Sequence, residues 1–146
     1  MKQSKIIIGI LAVLLVLLSV QFTYVKLEND RIQKNIDETF TNSYHNLTLN
    51  LLNQSIEGIG EDAIHRYHAE NTKWSAIMIN YYHLTSFQKY KNADLNTIIA
   101  ILAQSSGYNR VTELDMSLDL YHKIKDVPNE SFGNEDILRE AKEAIE

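Results

Sequence analysis

Charge is absent between Lys5 and Lys26, and the run from Ile6 to Val25 reads IIIGILAVLLVLLSVQFTYV, 20 residues without an acid or a base. At a helical rise of about 1.5 Å per residue such a run covers roughly 30 Å, the hydrocarbon thickness of a bilayer. Beyond Lys26 the pattern becomes amphipathic. Ile32, Ile36, Phe40, Tyr44, Leu47 and Leu51 recur at spacings of 4, 4, 4, 3 and 4, which lays one apolar stripe along a helix continuing from the membrane segment to about Gln54. Gly58 and Gly60 interrupt it.

A second helix is predicted from about Glu61 to Tyr90, with Ile64, Tyr67, Trp74, Ile77, Met78, Tyr81 and Leu84 as its buried side and Trp74 at the centre. Asp94 is placed to cap a third, in which Leu95, Ile98, Ile99 and Leu102 share a face before Gly107 stops it. Thr112 and Asp115 have the spacing of a capping box for a fourth, from Glu113 to about Asp126. Leu114, Met116, Leu118 and Leu120 also alternate as in a strand, but Asp115 and Asp119 suit a strand poorly. Asp119 and Lys123 stand at the i, i+4 spacing that favours a helix. Helix is the reading, with an apolar arc wide enough to be buried on more than one side. Pro128 then breaks the chain, and Asn134 is placed to cap a last helix in which Ile137, Leu138, Ala141, Ala144 and Ile145 line one face.

The expected fold is all-α: a single N-terminal transmembrane helix followed by a small helical bundle of about five helices. Residues 1–25 are read as a short cytoplasmic tail and signal anchor, residues 26–146 as an extracytoplasmic helical domain. A cleaved secretory signal would need small residues at the positions −3 and −1 from the cut, and Leu17-Leu18-Ser19 is a poor match. The tail holds Lys2 and Lys5 and no acid, whereas Lys26, Arg31 and Lys34 are mixed with Glu28 and Asp30, so the amino terminus is placed inside and the domain outside. In outline a hydrophobic amino terminus running into a long helix resembles the type IV pilins. Their processing glycine precedes the apolar run, however, whereas Gly9 lies within it and no acid follows until Glu28, so no family is assigned.

Composition narrows the partners. Without Lys2 and Lys5 the 14 basic residues fall to 12 against 19 acids, a net charge of −7 beyond the anchor, which repels nucleic acid and anionic headgroups. There is no cysteine, so neither a disulfide nor a lipid-modified cysteine is available, and the core itself has to hold the domain together. Three sequons, at Asn46, Asn53 and Asn129, are of the kind that arises by chance.

The chemically suggestive residues are histidines. Glu61, His65 and His68 fall on one helical face, and the acid-x-x-His spacing of Asp62 and His65 returns in Asp119 and His122. Two such pairs are half of the arrangement by which four-helix bundles hold two iron or manganese ions. The other half, a Glu from each of two further helices, is missing: Asp94 is the one acid between Glu70 and Glu113. Glu61, His65, His68, Asp119 and His122 are therefore weak metal candidates, and no metal or cofactor is expected. The aromatics Tyr67, Trp74, Tyr81, Tyr82, Phe87 and Tyr90 are read mainly as core residues rather than a ligand groove. Ser105 and Ser106 lie in no nucleophile elbow, and no Walker A, zinc-protease, haem or calcium motif is present. The expectation is a non-enzymatic, membrane-anchored interaction module that binds or scaffolds a protein partner at the outer face of the cytoplasmic membrane. The alternative is an extracytoplasmic ligand- or metal-binding sensor-type domain.

Overall fold

A computed structural model describes residues 2–55, 60–87, 93–106, 116–130 and 135–146. These residues form six helices and no strand: α1 (Lys2–Gln54), α2 (Glu61–Tyr82), α3 (Ala93–Ser105), α4 (Leu118–Ile124), α5 (Val127–Glu130) and α6 (Glu135–Ile145). The chain divides into two units, residues 1–35 and residues 36–146.

The first unit is the amino-terminal part of α1. It is long and apolar enough to cross a membrane, and none of its most apolar stretch is buried in protein. Two of its hydroxyls bond within the helix: Ser19 Oγ donates to the carbonyl of Leu15 at 2.8 Å, and Thr23 Oγ1 to that of Ser19 at 2.9 Å. A helix, which pairs its backbone groups within itself, is one of the two backbone forms that hydrocarbon tolerates.

The second unit is built on the remainder of α1. Phe40, Tyr44, Leu47 and Leu51 are buried, while Ile36 is half-buried and Ile32 is exposed, so the apolar stripe outruns the core by about two turns. α2 lies antiparallel to this segment, with Asp37 bonded to Ser86, Phe40 stacked on Tyr82 at 5.5 Å, Asn50 bonded to Glu70 and Gln54 to Asn71. α3 packs against α2 and α6, and α6 also receives α4 and α5. The buried positions of α6 are Leu138, Ala141 and Ile145, with Ile137 and Ala144 half-buried beside them. Lys142 on α6 reaches Asp94 on α3 at 3.3 Å.

Five local expectations change. α2 ends at Tyr82, two turns before Tyr90. The Thr85 hydroxyl donates to the Tyr82 carbonyl at 2.7 Å, and the Asp37 carboxylate accepts from the Ser86 N–H and hydroxyl at 2.9 and 2.6 Å, which turns the chain away. The inward face of α2 is also rotated, its buried residues being Asn71, Ser75, Met78 and Tyr82. Trp74 is only half-buried and Leu84 is 59% exposed. α4 starts at Leu118, not Glu113, because the Ser117 hydroxyl accepts the Leu120 N–H at 3.1 Å and caps it there. The Thr112 and Asp115 box lies outside the described residues. Its apolar arc is narrow: Leu120, Tyr121 and Ile124 are buried and Leu118 points outward at 60% exposure. Finally, Pro128 does not interrupt a helix but sits in the first turn of α5, where a missing N–H has no intrahelical partner to lose. The cap expected at Asn134 and the stop at Gly107 lie outside the described residues.

Tyr44 is the polar pivot of the core. It is fully buried, and its hydroxyl donates to the Ile124 carbonyl at 2.8 Å, joining α1 to the end of α4. Burial, with the negative Asp126 adding to it, raises the phenol far above its ordinary value, so the folded chain keeps Tyr44 protonated where the unfolded chain ionises it. That contribution to stability is complete below about pH 10 and is lost as the pH rises further.

Two outcomes follow for the full chain in detergent micelles under chemical denaturation. Phe40→Ala lowers stability by about 3–5 kcal/mol, and Trp74→Ala, from a half-buried position, by clearly less. Tyr44→Phe costs about 1–3 kcal/mol through the stranded Ile124 carbonyl, and it flattens the decline of stability above about pH 10.

Candidate functional site

The amino-terminal end of α2 collects the residues with the most chemical potential. Gly60 precedes the helix in an extended conformation, and its carbonyl accepts from the N–H of Ala63 at 3.0 Å and of Ile64 at 3.2 Å. Glu61 and Asp62 occupy the first turn, where a carboxylate suits the positive end of the helix dipole. One and two turns further on come His65, exposed, and His68, half-buried. Glu61, Ile64, His65 and His68 together line an open depression of about 340 Å³.

Asp119 and His122 are elsewhere and otherwise engaged. Both are on the exposed side of α4, Asp119 holding Lys123 at 3.0 Å and the His122 ring lying 5.7 Å from that of Tyr121. Among the described residues no three His, Asp or Glu side chains gather as a metal ion needs. Glu61, His65 and His68 approach from one side of one helix, which leaves a tetrahedral or octahedral shell incomplete. The structure thus brings three of the five metal candidates to one depression and leaves the other two outside it.

The aromatic residues divide in the same way. Tyr82 is in the core, its hydroxyl donating to Asn96 Oδ1 at 2.5 Å and its phenol raised by burial. Phe87 packs on Phe40 at 5.6 Å. Tyr67, Trp74 and Tyr81 are half-buried along the border of α2, with the Lys73 ammonium 4.6 Å from the Trp74 ring centre. Tyr90 lies outside the described residues. The hydroxyls of Ser105 and Ser106 are buried and donate to the carbonyls of Ile101 and Ala103. They serve the end of α3 rather than a histidine.

One buried residue, Asn71, and its half-buried partner Gln54 escape sequence reasoning. Asn71 and Gln54 face each other between α2 and α1, Asn71 Nδ2 donating to Gln54 Oε1 at 2.9 Å. The available signal is that Asn71, Ser75, Met78 and Tyr82 follow the helical spacing 4, 3 and 4, with polar residues in its first half. A polar residue at such a position reads as the edge of an apolar face until the packing is known. Comparison of the chain with protein-family models, with curated proteins and with solved structures finds no match.

The geometry sets an expectation for metal content. Full chain purified without chelator should hold far less than one equivalent of zinc, iron or manganese by elemental analysis. Stoichiometric metal that disappears when His65 and His122 are replaced together would overturn this.

Proposed function

We propose that this chain is a membrane-anchored, non-catalytic interaction module whose helical unit binds or scaffolds a protein partner at the outer face of the cytoplasmic membrane. The observation that carries the reading is the amino-terminal part of α1: it is apolar, unburied in protein and internally hydrogen-bonded, and a compact helical unit follows from residue 36. Lys2 and Lys5 before the apolar run favour an amino terminus inside the cell. Two further features suit a binding surface. Ile79, Leu84 and Leu118 expose apolar side chains on the helical unit, and Trp74 offers an aromatic face at its border. A sensor-type domain is the second reading, favoured by the depression that Glu61, Ile64, His65 and His68 line.

Protease added to intact protoplasts should degrade the helical unit and leave a small fragment containing the apolar run. A carboxyl terminus that is digested only after lysis would overturn the orientation. Crosslinking in intact cells followed by mass spectrometry identifies what the helical unit touches, and a chain that crosslinks to no protein would remove the interaction reading.

A further inference from the structure

The inward face of α2 runs Ile64, His68, Asn71, Ser75, Met78 and Tyr82, at spacings of 4, 3, 4, 3 and 4. Toward the carboxyl end this face is apolar and aromatic. From His68 to Ser75 it is polar, and Asn71 there has no solvent exposure. Its bond to Gln54 uses one donor and one acceptor and leaves two atoms over. Among the described residues neither Gln54 Nε2 nor Asn71 Oδ1 has a hydrogen-bond partner, and both are closed to bulk solvent.

This remainder does not depend on how the amides are turned. Rotating both end for end exchanges their roles and again leaves one donor and one acceptor, whereas rotating one alone sets two like atoms against each other. Native interiors rarely leave such atoms unsatisfied, because a buried amide group without a partner has given up its bonds to water for nothing. The missing partner must therefore accept from one side chain, donate to the other, and be small enough to sit where neither atom meets bulk solvent.

We propose that the Gln54 and Asn71 pair is a binding site for one internal water molecule. The water accepts from Gln54 Nε2 and donates to Asn71 Oδ1, closing a ring of three hydrogen bonds between α1 and α2. Water is the smallest molecule that does both, and internal waters typically bond to buried polar groups that otherwise lack partners. His68 lies one turn away on the same face and lines the open depression. The ring also ties α1 to α2 in one register, since sliding either helix by a turn separates the two amides.

The test uses the full chain, isotopically labelled and held in detergent micelles, with nuclear Overhauser contacts read between water and the side-chain amide protons of Gln54. The expected result is a contact whose sign marks a water bound for longer than molecular tumbling, and its loss in Asn71→Leu. A wild-type chain whose Gln54 amide shows no long-lived water contact overturns the proposal, whether or not the variant folds. So does a wild-type coupling that shows Gln54 Nε2 bonded directly to Asn71 Oδ1. Persistence of the contact in a folded Asn71→Leu chain would place the water elsewhere and overturn the bridge.

Discussion

Phe40, Tyr44, Leu47 and Leu51 form one stripe on α1, and the buried surfaces of the helical unit are laid around it. Each such side chain contributes about 1.5–3 kcal/mol when fully removed from water. With no cysteine in the chain, this burial and the bonds it shelters carry the stability. Tyr44 has the largest consequence because it does two things at once: its ring fills the core, and its hydroxyl reaches 80 residues along the chain to the last carbonyl of α4. A phenylalanine there would fill nearly the same space and leave that carbonyl bare.

The same core also holds polar residues, and its stability depends on how they are satisfied. Ser43, Thr48, Thr85, Ser105 and Ser106 are all buried, and each hydroxyl donates to a carbonyl three or four residues earlier in its own segment. They act as small residues that let helices approach without carrying an unpaired group inward. Asn71 is different, because its partner is on another helix. A bond of that kind specifies which turn of α2 faces which turn of α1, something that interchangeable apolar contacts do poorly. The bond from Asp37 to Ser86 does the same at the other end of the pair, where α2 stops.

For function, the distribution of chemistry matters more than its inventory. The histidines and acids are placed where a solvated helix surface tolerates them: Glu61 and His65 at an exposed helix start, Asp119 in an ion pair with Lys123, and His122 on an outer face. The hydroxyls of Ser105 and Ser106 are tied to backbone carbonyls of α3. Beside the histidines and acids the described surface carries a few exposed apolar side chains, Ile79, Leu84 and Leu118 among them, on a chain with an acidic balance.

The sequence by itself determined the helical class, the apolar amino-terminal helix and the α1 stripe. Each is a local consequence of period and length, since a spacing of 3 to 4 residues or 20 uncharged positions states its meaning without neighbours. The Asp119 and Lys123 pair was legible for the same reason, as were the buried positions of α3 and α6. Only the tertiary structure decided where α2 ends, because the bonds that end it come from Asp37, 49 residues away. It also decided which side of α2 faces inward: Trp74 and Tyr81 are more hydrophobic than Asn71 and Ser75, yet the latter two are small or polar in a way that the opposing α1 surface accommodates. The start of α4 was likewise decided by the structure: the Ser117 hydroxyl accepts the Leu120 N–H, a cap that the spacing of Thr112 and Asp115 did not point to. Local periodicity reports what a segment is able to bury, and the contacts between distant segments select what it does bury.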